Sequence, residues 1–160
     1  MRKVIIPVGL AGAGKSTYIK NNYATPNCLV IETDSIREEL CGNASDQSKN
    51  SEVFKIARQR FKTWLGTPNS EQDICILDAT NLTVKERNNW YNIILDEYQM
   101  EIEVDISIIL VAFKNNIEKA LKQNKMRKRQ VQDEVIKKQS SKYTIPTEWE
   151  MDNCHIFEAE

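Results

Sequence analysis

The sequence predicts an α/β fold in three layers, a parallel sheet of about five strands between helices, with one domain over residues 1–160. Three observations predict it. Five short runs rich in Ile and Val are apolar without alternation, as strands covered on both faces are. Stretches with apolar residues at helical spacing separate these runs. The first run passes directly into a glycine-rich loop followed by a helix-compatible stretch.

The elements follow in order. "KVIIPVG" is the first strand, and a helix is expected to begin at Lys15. "CLVIETD" is the second strand, and "SIREEL" opens a short helix after it. Ser51 to Leu65 places Phe54, Ala57, Phe61 and Trp64 on one helical face. "LGTPNSEQ" reads as a loop, and "ICILDAT" is the third strand. From Thr83 to Gln99, Tyr91, Ile94, Leu95 and Tyr98 form an apolar face, with Thr83 and Glu86 at capping-box spacing. "DISIILVAF" is the fourth strand, helices near Asn115–Lys125 and Asp133–Ser140 follow, and "CHIFEA" is the fifth. The aromatic residues of these helices are expected in the core.

Composition narrows the function. With 41% hydrophobic and 28% charged residues, the chain reads as an ordinary globular protein. No apolar run reaches the roughly 20 residues of a membrane helix, and the apolar start leads into the glycine loop rather than a cleavage site, so an intracellular protein is expected. Cys28, Cys41, Cys75 and Cys154 fit no zinc spacing, and Cys28 and Cys75 read as buried strand thiols. A single histidine, His155, sits in an apolar context where a structural role is expected; it is too little for a metal site or a Ser-His-Asp triad. Net charge is -1, but "KALKQNKMRKR" from Lys119 to Arg129 carries six basic residues and no acid. Such a strip can hold phosphates on a neutral protein.

"GLAGAGKS" fits Gly-x-x-x-x-Gly-Lys-Ser. Glycines let the backbone curl so that successive amides of Gly9, Ala11, Gly12, Ala13 and Gly14 can face phosphate oxygens, and the helix N-terminus adds a positive dipole end. Lys15 is expected to bridge the β- and γ-phosphates, Ser16 to help hold Mg²⁺, and Thr17 to contact the α-phosphate. The second strand delivers Asp34 where it gives way to a helix, with Arg37 on the same face. A carboxylate there could take a proton from an attacking hydroxyl, and the arginine could grip an acceptor anion; helix capping and a surface arginine are the plainer alternative. Asp78, Thr80 and Asn81 end the third strand on the same edge, where they could serve the metal or the acceptor, or cap the loop. Arg127 and Arg129 stand in a segment that could close over the donor and offset charge in transfer.

Phosphate loop, "DSIR", "DATN" and the basic "N..R.R.V" segment occur in an order that resembles polynucleotide 5′-kinases of phages and bacterial RNA-repair systems, over nearly the whole chain. "IPTEWEMDNCHIF" also looks like the close of related P-loop kinases. The resemblance implies a central phosphate-loop strand, ATP or GTP with Mg²⁺ as cofactors, and a single-stranded nucleic acid end as acceptor. It further implies Asp34 as general base, Arg37 on an acceptor phosphate, and Arg127, with Arg129 beside it, on the donor phosphates in a helical lid over about 115–140. The lid departs from the family pattern, with Gln123 where an arginine is common. Two other readings stand beside this one. A related kinase could act on a small molecule or a modified base. A nucleotide-hydrolysing switch is a further possibility, though the sequence lacks a guanine-selecting "NKxD".

Overall fold

The computed structural model describes residues 2–44, 46–68, 70–99 and 105–160. Among these residues five strands are present: β1 (Arg2–Val8), β2 (Cys28–Glu32), β3 (Ile74–Asp78), β4 (Ile106–Phe113) and β5 (Cys154–Ala159). They form one sheet in the order β2-β3-β1-β4-β5, and every pair is parallel. Parallel neighbours require crossovers, and the helices supply them. These are α1 (Lys15–Tyr23), α2 (Thr33–Cys41), α3 (Asn50–Leu65), α4 (Val84–Gln99), α5 (Ile117–Asn124) and α6 (Asp133–Lys142). A single 3-10 turn at Glu148–Glu150 precedes β5.

Unbroken apolar strands produce two cores, one on each face of the sheet. On one face Val4, Ile6 and Val8 of β1 pack with Phe61 and Trp64 of α3 and Trp90, Tyr91 and Ile94 of α4. On the other, Ile5 packs with Leu10, Ile19, Phe113, Ala120 and Ile136. Alternate residues of β1 therefore point to opposite faces, and both faces are covered. The expected capping box is present at α4: Glu86 N–H donates to Thr83 Oγ1 (3.1 Å) and Thr83 N–H to Glu86 Oε2 (3.3 Å).

Several expectations are corrected. Leu95 and Tyr98 are 44% and 38% exposed, because the buried stripe of α4 runs through Arg87, Trp90, Tyr91 and Ile94, one position off the expected face. A buried arginine hides that stripe from an apolar pattern. His155 is exposed on β5, and Cys28 is only half-buried, because β5 and β2 are the sheet's edges. Leu65, given both to the end of a helix and to the start of a loop, is the last residue of α3 and buried; position 69 of that loop lies outside the described residues.

The order puts β1 in the middle, with the chain running to one side through β2 and β3 and to the other through β4 and β5. The carboxyl edge beside such a reversal is where open α/β sheets form their ligand crevice.

Candidate active site

The loop after β1 is set by backbone conformation. Gly12 and Gly14 have φ of 82° and 104°, the left-handed region that side chains disfavour. At Gly12 there is also no room: a Cβ would lie 2.4 Å from the Ala120 carbonyl oxygen of α5. Three contacts pin the loop, two of them from outside it. Gly9 N–H donates to the Thr80 carbonyl (3.0 Å), Ala13 N–H closes a turn onto Leu10 (3.0 Å), and Ala11 N–H donates to Gln139 Oε1 of α6 (2.9 Å). Ala11, expected among the phosphate contacts, therefore has its amide taken by a side chain, and the chain turns inward only after it.

Lys15 opens α1 and folds back across its own loop, its ammonium donating to the carbonyls of Gly9 (2.9 Å) and Leu10 (2.7 Å). Burial pushes its pKa down to about 8; the carboxylates of Asp78 and Asp34 oppose that shift and the Arg127 guanidinium adds to it. Ser16 and Thr17 are exposed at the same helix N-terminus. There the first backbone N–H groups lack intrahelical partners.

The other strand ends bring acids. Asp78, the last residue of β3, is 9% exposed. Burial first, with Glu32 and Asp34 adding to it, raises its carboxyl pKa to about 6 against the pull of Lys15 and Arg127. Lys15, Asp34, Asp78 and Arg127 thus form one mutually interacting charge cluster drawn from four places in the chain. Asp34 lies in the first turn of α2 with its side chain 43% exposed, and Arg37 donates to its Oδ1 at 2.6 Å. Arg37 is itself held: its Nε and Nη2 donate to Asn50 Oδ1 of α3 at 3.2 and 2.9 Å. A buried guanidinium fixed in this way orients one carboxylate oxygen and leaves the carboxylate open to an incoming group.

Two sequence expectations meet a different geometry. The Asn81 carboxamide is spent inside the protein. Its Nδ2 donates to the carbonyls of Pro7 (2.9 Å), Leu77 (3.1 Å) and Ala79 (3.2 Å), and its Oδ1 accepts from Trp90 Nε1 (2.8 Å). It staples the crest of β3 to β1, from a left-handed backbone (φ 51°), rather than reaching toward a ligand. Arg129, expected beside donor phosphates, forms ion pairs with Glu32 (3.0 Å) and Glu38 (2.7 Å) near α2. Arg127 is half-buried and, among the described residues, its guanidinium has no hydrogen-bond or ion-pair partner.

Sequence reasoning named Asn124 only as the opening of the basic "N..R.R.V" segment, without its holding task, and missed Asn50 and Gln139. Asn124 is 2% exposed and clamps the ends of the loop bearing Arg127, its Nδ2 donating to the Val131 carbonyl (2.7 Å) and its Oδ1 accepting from Val131 N–H (3.1 Å). Asn50 and Gln139 act the same way on Arg37 and Ala11. Asn50 and Gln139 lie far from their partners in sequence and no local pattern signals them, whereas Asn124 and Val131 are the two ends of the "N..R.R.V" pattern. Two cavities have residues of these loops in their walls. One of about 390 Å³ opens between the start of α3, residues 79–81 and α4. Another of about 250 Å³ lies beside Ala13, between Phe113, Lys114, Asn116 and Lys119.

Nothing among the described residues groups three His, Cys, Asp or Glu side chains as a ready metal cage. Mg²⁺ needs no such cage: it takes one or two protein oxygens, with phosphate and water oxygens completing its shell. Ser16 and Asp78 are oxygen donors of the type that fits.

Solved structures share this fold. A fungal RNA kinase superposes with a TM-score of 0.69 over 99% of this chain and 38% of its own, at 16% identity. A chain of the Pnkp1/Rnl/Hen1 RNA repair complex matches over 88% of this chain and 43% of its own, with a TM-score of 0.65 and 20% identity. A gluconokinase from Sinorhizobium meliloti 1021 matches over 98% of this chain and 82% of its own, with a TM-score of 0.55 and 11% identity. At such identities the likeness is one of fold, the α/β P-loop kinase-like fold, and the chain spans less than half of the first two proteins. No curated protein is similar enough in sequence to match. A family model described as an AAA domain matches residues 4–146, most of the chain, and the chain belongs to that family.

Proposed function

We propose that the protein is a phosphotransferase that moves the γ-phosphoryl group of ATP, or GTP, to the 5′-hydroxyl of a DNA or RNA strand. The observation that carries this reading is the Asp34–Arg37 pair beside Lys15, an oriented and open carboxylate sharing one charge cluster with the phosphate-loop lysine. A nucleotide-holding switch has no use for such a pair. Likeness in fold to an RNA kinase and to part of an RNA repair complex supports the choice of acceptor.

The amides of Gly12, Ala13 and Gly14 and the N-terminus of α1 receive the donor's phosphates. Lys15 exchanges its carbonyl partners in the loop for β- and γ-phosphate oxygens. Thr17 contacts the α-phosphate, and Ser16 and Asp78 are the residues that would hold Mg²⁺, which would offset phosphate charge. Asp34 accepts the proton of the acceptor hydroxyl as its oxygen bonds to the γ-phosphorus. The bond from that phosphorus to the β–γ bridging oxygen breaks, and the nucleoside diphosphate leaves with the electron pair. Arg127 faces the charge spread over the transferring oxygens. Arg37, buried with its guanidinium bonded to Asp34 and Asn50, orients Asp34 and would have to exchange one of these partners to grip an acceptor phosphate. Residues 115–140, α5, α6 and the loop between them, act as the lid of a single domain.

A second reading keeps this chemistry and changes the acceptor to a small alcohol, favoured by the likeness to a gluconokinase over nearly the whole chain. Labelled γ-phosphate offered with a 5′-hydroxyl oligonucleotide, the same strand already 5′-phosphorylated, a nucleoside and a sugar acid separates the two. The proposal expects label in the first strand and none in the second. Label in the sugar acid alone would replace the proposal with the second reading.

A further inference from the structure

The cavity of about 390 Å³ between α3 and α4 is not used by the donor or by the transfer step. Its wall holds two groups unusual for an idle surface. Phe54 is half-buried and turned into the cavity rather than into the core that takes Phe61 and Trp64 of the same helix. Arg58, one turn further along α3, is half-buried and has no hydrogen-bond or ion-pair partner among the described residues. By contrast Arg60, two residues on, reaches outward to Glu39 (3.0 Å). The opposite wall is Trp90, with its indole N–H already spent on Asn81. Glu86, the one acid in the lining, is engaged by the Leu82 and Thr83 amides and by Lys142.

The cavity is joined to the reactive pair. Asn50 in its lining is the residue that holds Arg37, and Thr80, also in the lining, lies two residues past Asp78. An aromatic face and an unneutralised guanidinium, one helical turn apart, suit a planar ring linked to an anion. In nucleic acid a base and its adjoining phosphate have that form, and stacking plus charge is how single strands are gripped without regard to sequence.

We propose that this cavity is a strand subsite, where Phe54 stacks on a base of the single-stranded acceptor and Arg58 pairs with the phosphate on its 3′ side. The assignment rests on the polynucleotide reading above and adds two residues that set acceptor affinity. Asn50 couples the subsite to Asp34 through Arg37, so a strand seated there has its 5′ end directed toward the general base.

Binding and transfer are measured separately, using a fluorescent 5′-hydroxyl oligonucleotide for anisotropy and labelled γ-phosphate for transfer, on wild type, Phe54→Ala, Arg58→Gln and Arg60→Gln. Circular dichroism melting verifies that each variant is folded. Phe54→Ala and Arg58→Gln are expected to weaken strand binding by on the order of ten-fold, the scale of one base stack or one phosphate contact. The same loss appears in the acceptor KM, and the Arg58→Gln loss shrinks as salt rises. Arg60→Gln, which removes a charge from the outer face of the same helix, leaves both unchanged. Equal losses in Arg60→Gln and Arg58→Gln overturn the subsite, since they point to bulk charge. Unchanged binding in folded Phe54→Ala and Arg58→Gln overturns it as well, while transfer by wild type still upholds the kinase reading. Strand binding that falls in the two variants, with no transfer by wild type, upholds the subsite and removes the kinase reading. Wild type that binds no strand overturns the subsite.

Discussion

The ammonium of Lys15 carries the clearest pH signature in the molecule. Its pKa, lowered to about 8 chiefly by burial, lies below the ordinary 10.5. Between those values the unfolded chain binds more protons than the folded one, so this residue makes stability rise with pH across that window. Nucleotide binding has the opposite sign, because triphosphate favours the charged ammonium. Nucleotide Kd is therefore expected to rise as pH climbs through about 8, by up to about ten-fold per unit, and calorimetry at pH 8 in two buffers should record proton uptake. Lys15→Met should remove both effects; a pH-independent Kd from pH 7 to 10 in wild type would contradict this assignment. Asn81 shows a residue whose place was legible and whose task was not. "DATN" at a strand end marks a site edge, yet the carboxamide serves three carbonyls and one indole N–H. Asn81→Leu leaves these groups unpaired in the interior and should cost about 3 kcal/mol in urea unfolding. A loss below about 1 kcal/mol would mean the staple is dispensable.

At the scale of elements, the loops are more instructive than the helices. Helix positions came within a residue or two from periodicity and caps, because α3 and the box at Thr83 and Glu86 are local features. Which face a helix buries is decided by its neighbours. Arg87, at 0% exposure, is invisible to an apolar pattern because its charge is met by Glu150 from the 3-10 turn at 2.8 Å. The glycine loop and α5 form one packed unit. Gly12→Ala forces a Cβ to within 2.4 Å of the Ala120 carbonyl, at a backbone angle alanine disfavours. The expected outcome is displacement of α5 and the Arg127 loop with it, seen as faster amide hydrogen exchange across residues 117–131 and weakened nucleotide binding. Exchange identical to wild type would show that the loop and α5 are not coupled. Arg129, by contrast, makes exposed pairs whose contribution is about 0–1 kcal/mol, so Arg129→Gln should hardly alter the melting temperature.

Over the whole molecule, strand order puts the site together. With β1 central and β3 beside it, the ends of β1, β2 and β3 bring the glycine loop, Asp34 and Asp78 to one edge. This much was legible: continuous apolar strands imply a covered parallel sheet, and a sheet of that kind gathers its ligand residues at its carboxyl edge. The pairing of segments far apart in the chain was not legible, since Gln139 on Ala11, Asn50 on Arg37 and Glu150 on Arg87 leave no periodic trace. The Arg87–Glu150 pair ties α4 to the segment before β5 across the molecule. Arg87→Met strands a buried carboxylate and should lower global stability by about 3–5 kcal/mol, whereas a neutral result would show that the pair only breaks even. The claim on which the account turns is that Asp34 makes the bound nucleotide a donor to an alcohol. Single-turnover transfer of labelled γ-phosphate to a 5′-hydroxyl oligonucleotide, read beside nucleotide Kd in wild type and Asp34→Asn, tests it most directly. The account predicts transfer slowed by about 10²–10⁴-fold in the variant, the scale of general-base catalysis, with Kd within a few-fold of wild type. Equal transfer rates in the two proteins, or a loss fully matched by a rise in Kd, would contradict it.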